Sequence, residues 1–129
     1  MVYVYDTTLR DGAQTPHLNL ILQGKLRITG LLHELGIPYI EVGFAGSNPR
    51  DEAYFSEVME LRRNGHLSDS KIAAFGMTAR TRDVEHDQYL HAVTATGADA
   101  YTIVGKAHKG QVSEVLRLSA SEYLKIIKG

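Results

Sequence analysis

The sequence predicts an α/β chain of four β-α units with parallel strands. Two observations carry this reading. Short β-branched or aromatic runs recur at 2–5, 38–44, 71–77 and 100–105, and each is followed by a stretch with helical period. A unit of helix end, glycine and strand also repeats. It reads Glu34-Leu35-Gly36-Ile37-Pro38-Tyr39-Ile40-Glu41-Val42-Gly43, and again Ala95-Thr96-Gly97-Ala98-Asp99-Ala100-Tyr101-Thr102-Ile103-Val104-Gly105. Regular β-α alternation implies a parallel sheet with right-handed crossovers. The nearly continuous apolar strands suit a sheet covered on its faces.

The elements follow in order. Val2-Tyr3-Val4-Tyr5 is the first strand. Ile28, Leu31, Leu32 and Leu35 stand at i, i+3, i+4, i+7 and mark one face of the first helix, with Gly36 as its left-handed cap. The approach to that helix is weak. Ile21 cannot cap, and Gly24 costs roughly 1 kcal/mol relative to a good helix former. After the second strand, Asn48 is a good N-cap, Pro49 fits the first helical position, and Asp51 and Glu52 favour the positive end of the dipole. Phe55, Val58, Met59 and a snorkelling Arg62 form the stripe of this second helix, which Gly65 ends. The third helix spans Asp87 to Thr96, with Tyr89, Leu90 and Val93 inward and Gly97 as terminator. The last helix carries the stripe Tyr123, Leu124 and Ile127. No linker or low-complexity stretch interrupts the array, so 1–129 reads as a single, partial catalytic domain.

Two architectures fit four such units. One is a small doubly wound open sheet. The other is the N-terminal half of a TIM (β/α)8 barrel, since a complete barrel needs about 250 residues. A half barrel leaves its first and fourth strands as apolar edges, which predicts pairing with a second copy, or a C-terminal half that this chain lacks.

Composition narrows the function classes. Of 129 residues, 43% are hydrophobic and 22% charged, which fits a folded domain. The net charge of -1 gives no support to nucleic-acid or membrane-surface binding. There is no cysteine, which excludes disulfides, thiolate metal sites and a cysteine nucleophile. The start lacks a basic region followed by an apolar run, and no segment approaches the roughly 18 apolar residues of a membrane span. A soluble cytoplasmic protein is expected.

In either architecture the functional groups belong at the carboxyl ends of the strands. The stretch after strand one places Asp6, Arg10, Asp11 and Gln14 there. Carboxylate oxygens are hard ligands for a divalent cation. A guanidinium beside them can hold a carboxylate or a developing oxyanion. Gly12 lets the backbone turn tightly between them. Taken alone, such a turn is also a common surface salt bridge. Glu41 is more telling, because it lies inside an apolar strand and a buried carboxylate is costly unless paired. Arg10 is the expected partner. Thr78 and Arg80 follow strand three, and Lys106, His108 and Lys109 make a basic loop after strand four, read as solvated surface. No spaced-glycine phosphate loop follows strand one.

The run Asp6-Thr7-Thr8-Leu9-Arg10-Asp11-Gly12-Ala13-Gln14 closely resembles the opening signature of the acetyl-CoA-dependent 2-oxo-acid acyltransferases, the 2-isopropylmalate, homocitrate and citramalate synthases. The resemblance continues through Lys25-Leu26-Arg27-Ile28 and Glu34-Leu35-Gly36. From Tyr39 through Gly46-Ser47-Asn48-Pro49 to Asp51, at Ala74-Phe75-Gly76 and at Thr102-Ile103-Val104-Gly105-Lys106, it is most similar to the citramalate branch. It implies a metal-dependent β/α barrel that joins acetyl-CoA to a 2-oxo-acid such as pyruvate. It implies that Asp11 ligates Mg2+, Mn2+ or Zn2+, and that Arg10 binds and polarises the oxo-acid. It also implies that Gln14 and Glu41 line the site, with Glu41 orienting Arg10. The family's other metal ligands form a His-x-His pair. None of His17, His33, His66, His86, His91 and His108 has that spacing, so each is read as a surface or helix-end residue. A catalytically inactive half barrel is the alternative this leaves open.

Overall fold

Strands β1 (Tyr5–Asp6), β2 (Tyr39–Phe44), β3 (Lys71–Met77) and β4 (Ala100–Val104) lie side by side in that order, each parallel to the next. This is a computed structural model, described over residues 1–46 and 49–128. Helices α1 (Leu22–Glu34), α2 (Pro49–Arg63) and α3 (Gln88–Ala95) are the crossovers. A short helical turn, Lys109–Gln111, runs into a π-helical turn, Val112–Leu116, and α4 (Ala120–Lys128) follows. A doubly wound sheet reverses its strand order at a switch point. The sequential order here has none, and the four units form half of a β/α barrel.

The sheet is curled. Three strand spacings would separate β1 from β4 by about 14 Å in a flat sheet. Instead the Tyr5 hydroxyl meets the Thr102 hydroxyl across the concave face. The convex face is apolar: Ile40, Val42, Ile72 and Ala74 pack with Leu9, Tyr54, Phe55, Val58 and Val93 in one core beneath the helices. The concave face carries Tyr39, Glu41, Phe44, Phe75 and Thr102. A β-bulge sets this division. Glu41 pairs with Ala73 but Gly43 pairs with Ala74, so β2 holds one extra residue there. Strict alternation would send Glu41 and Phe44 to opposite faces. The bulge returns both to the concave side, where the Phe44 ring meets the Phe75 ring edge-on at 5.5 Å.

Several elements differ from their sequence reading. The first strand is Tyr5–Asp6 rather than 2–5, because β2 starts at Tyr39 and offers earlier residues no partner. Val2, Tyr3 and Val4 are therefore exposed. Helix α1 is rotated from its expected face. Thr29 is buried and its hydroxyl bonds the Tyr54 hydroxyl of α2 at 2.6 Å, while Leu31 and Leu35 are exposed. In α4, Tyr123 and Ile126 are buried, and Leu124 and Ile127 are not. The Tyr123 hydroxyl accepts from the Lys106 N–H at 2.6 Å and lies 3.1 Å from the Thr78 hydroxyl, which fixes that rotation. Tyr89 lies outside the core beneath the Arg80 guanidinium, 3.9 Å from its ring centroid. Arg62 does more than snorkel, since it donates to the carbonyls of Leu67 and Ser70 and to Asp99. The Asn48 cap lies outside the described residues. Gly36 and Gly97 both have positive φ, 74° and 68°, so the repeated helix stop is formed as the sequence predicts.

Candidate functional site

The loop after β1 is built to turn one side chain in and the next out. The Asp6 carboxylate accepts from the Thr8 N–H and the Thr8 hydroxyl, both at 3.0 Å. The amides of Arg10, Asp11 and Gly12 all point at the Thr7 carbonyl, at 3.2, 2.8 and 3.2 Å. Leu9 is fully buried and anchors the turn in the core. Arg10 is thereby aimed at the concave face.

There it meets Glu41, whose side chain is 0% exposed. One carboxylate oxygen, Oε2, accepts from Arg10 Nε at 2.5 Å, and the other, Oε1, accepts from the Tyr5 hydroxyl at 2.9 Å. The Arg10 guanidinium carbon sits 4.1 Å from the Phe75 ring centroid, a cation–π arrangement. Its Nη1 donates to Asp11 Oδ1 at 2.8 Å. Pairing, hydrogen bonds and the ring together offset the cost of removing the Glu41 charge from water. No buried side-chain polar atom among the described residues lacks a partner. Burial pushes the Tyr5 phenol up to about 12; the Thr102 bond opposes this and the Glu41 carboxylate adds to it. Nη2 of Arg10 has no partner among the described residues. A charged donor held on three sides and open on the fourth can take a carboxylate or an oxyanion.

Beside Arg10 lies a cavity of about 690 Å3, bordered by Gln14, Lys25, Phe44, Arg50 and Tyr54. Lys25 pairs with Asp51 at 2.8 Å on its wall. Gln14, an exposed residue at the end of a 3-10 turn, borders the cavity, while the side-chain bonds of Glu41 go to Tyr5 and Arg10.

The other sequence candidates are elsewhere. Asp6 is satisfied within its own turn. Thr78 and the Lys106 amide are held by Tyr123, and Arg80 lies on Tyr89. His33 bonds Ser70, His86 bonds Asp83, and His91 meets the Glu85 carbonyl. Tyr5, Phe75 and Thr102 belong to the site and are not singled out by the sequence. Their one signal is register: they occupy concave-face positions of their strands, as Glu41 does.

Asp11 is 63% exposed, with one oxygen on Arg10. No group of three His, Cys, Asp or Glu that could hold a metal occurs among the described residues. A cation needs more ligands than one carboxylate, so the described residues do not by themselves make a metal centre.

Comparison with known proteins gives the family of the chain. The HMGL-like family model matches residues 1–128. The chain belongs to the HMGL-like family. Among HMGL-like relatives, the (R)-citramalate synthase of Sulfolobus acidocaldarius is 42% identical over 127 residues, covering 98% of this chain and 24% of that enzyme. The (R)-citramalate synthase of Geobacter sulfurreducens is 41% identical over 128 residues, with the same coverage. The 2-isopropylmalate synthase of Ruminiclostridium cellulolyticum is 51% identical, but over 63 residues and 49% of this chain. The HMGL-like chain thus spans about a quarter of the length of the citramalate synthases it matches.

Proposed function

We propose that the chain provides the oxo-acid end of a citramalate-forming acyltransferase, which joins the methyl carbon of acetyl-CoA to the keto carbon of pyruvate and then hydrolyses the thioester. The observation that carries this is Arg10, held by buried Glu41 and Phe75 with Nη2 open at the carboxyl end of the sheet. Arg10 would bind the oxo-acid and stabilise the alkoxide formed on attack. Glu41 would orient Arg10, and Gln14 would line the cavity beside it. Relatives named as citramalate synthases, similar over nearly the whole chain, favour pyruvate as acceptor. The 2-isopropylmalate synthases match over a shorter stretch, which makes 2-oxoisovalerate the runner-up. A homocitrate synthase would prefer 2-oxoglutarate.

Asp11 is proposed as one ligand of a divalent cation, which supplies Lewis-acid polarisation of the carbonyl when bound. No group of three such ligands comes together among the described residues. A second reading, consistent with that incomplete ligand set among the described residues, is a half barrel that binds the oxo-acid without turning it over.

The test is release of free CoA from acetyl-CoA with pyruvate and a divalent cation. The chain has no cysteine, so a thiol reagent reads only the product. Turnover with pyruvate above that with 2-oxoisovalerate or 2-oxoglutarate is the expected result. Pyruvate binding in calorimetry without CoA release selects the inactive half barrel. No binding of any 2-oxo-acid overturns both readings. For the metal, Mn2+ should broaden the resonances around Asp11, and Asp11→Ala should abolish that broadening. Broadening centred elsewhere sinks the assignment.

A further inference from the structure

Arg10 holds Glu41 in an unusual way. Arginine and carboxylate commonly pair through two parallel bonds, here available from Nε and Nη2. Arg10 makes only the Nε bond, to Oε2. On the other side of the carboxylate, Oε1 accepts from the Tyr5 hydroxyl at 2.9 Å, and the two bonds together fix the orientation of the carboxylate against Arg10. Tyr5 has one proton, and it goes to Glu41. The Thr102 hydroxyl must therefore be the donor in its contact with Tyr5. Tyr5 is further fixed by stacking on Tyr39, with ring centroids 6.1 Å apart. The result is a chain of bonds from β4 through β1 to β2. It occupies one side of the carboxylate and leaves Arg10 the other.

The geometry points to Tyr5 as a positioning residue: its hydroxyl, held by Thr102, fixes the Glu41 carboxylate in the orientation that takes only Nε of Arg10, which leaves Nη2 open for an oxo-acid carboxylate or carbonyl oxygen. Without the phenol, Oε1 would be a buried acceptor with no donor, an arrangement that proteins avoid. Nη2, on the guanidinium that already bonds Oε2, is the donor that a turn of the freed carboxylate would bring to it. Closing that second bond would turn Arg10 into an ordinary two-point ion pair and withdraw its open end. The functional consequence rests on the oxo-acid reading above, whereas the change in pairing does not.

The experiment follows the Arg10 side-chain N–H signals of the 15N-labelled chain by NMR and titrates pyruvate into wild type, Tyr5→Phe, Thr102→Val and Tyr39→Phe. Tyr39→Phe keeps the stacked ring and removes a hydroxyl outside the path. In Tyr5→Phe, Arg10 Nε–H should stay protected, Nη2–H should become protected as well, and pyruvate affinity should fall about tenfold. Thr102→Val should move both readouts in the same direction by less. Tyr39→Phe should move neither. The proposal is overturned if Tyr5→Phe leaves the Nη2 signal and the affinity at wild-type values, or changes them no more than Tyr39→Phe does. If Tyr5→Phe does not fold, Thr102→Val decides on the same two readouts. If the wild-type chain binds no pyruvate, the oxo-acid reading fails, and the Nη2 signal alone still settles the positioning role.

Discussion

At Glu41 a full charge has no contact with solvent, and three groups keep it there: Arg10, Tyr5 and, through Arg10, the ring of Phe75. Glu41→Ala would leave Arg10, mostly buried, with the exposed Asp11 as its remaining carboxylate partner. Removing one member of a buried ion pair costs about 3–5 kcal/mol, and urea denaturation should return a loss of that size. A loss below about 1 kcal/mol would mean that the pair is solvated. Asp87 offers a different residue-scale test. Burial works to raise its pKa, but the amides of Leu90, Arg80, Thr81 and Tyr89 hold it below the usual aspartate range. A depressed carboxylate contributes stability above its unfolded pKa of roughly 4, and loses it as pH falls through the folded value. Asp87→Asn should therefore lower the thermal midpoint at pH 7, by about 1–2 kcal/mol in stability, and the gap to wild type should narrow below about pH 4. A gap independent of pH would refute the charge-based account. Arg10 and Glu41 were legible as partners because a charge inside an apolar strand demands one. Tyr5, Phe75 and Thr102 were not, because each is an ordinary strand residue by composition. Their roles exist only once the sheet has a concave side.

The elements show the same division. The strands after the first were legible in position because parallel strands announce themselves as apolar runs between glycine stops. Helix faces were less so. Leucines at 31 and 35 fit a helical stripe, yet α1 turns Thr29 inward to meet Tyr54 of α2. Likewise α4 is rotated by the hydroxyl of Tyr123 rather than by Leu124 or Ile127. In both helices one polar anchor overrides a leucine-rich alternative that differs by about a third of a turn. Tyr54→Phe should leave the Thr29 hydroxyl with its bond to the Lys25 carbonyl alone, at a cost of about 1 kcal/mol in chemical denaturation. The packing of α3 on β3 is tighter. A Cβ on Gly76 would lie 2.6 Å from Val93 Cγ2. Gly76→Ala should cost about 1–3 kcal/mol, and Val93→Ala should recover part of that loss in the double variant. Additive losses would show that the two residues do not collide.

The whole molecule is half of a curved wall. Its core lies on the convex side, and its two terminal strands offer unpaired backbone. On β4, Tyr101, Ile103 and Val104 are each exposed, and so are the residues leading into β1. Apolar edges of this kind attract further strands. Self-association at micromolar concentration is the expected behaviour of the isolated chain in light scattering, and a monodisperse monomer would refute it. The curl was not legible in the sequence, because it depends on strand twist and on the extra residue in β2. The contact between Tyr5 and Thr102 joins residues 97 positions apart. Bringing them together requires closing about three-quarters of the 129-residue chain as a loop, and contacts of long sequence separation form late and slowly. The Tyr5–Thr102 contact is therefore expected to close last, after β2 and β3 have aligned. A polypeptide still emerging from its synthesis would carry Arg10, Glu41 and Tyr5 from early on, yet Tyr5 would lack its outer support until the strand that bears Thr102 had arrived.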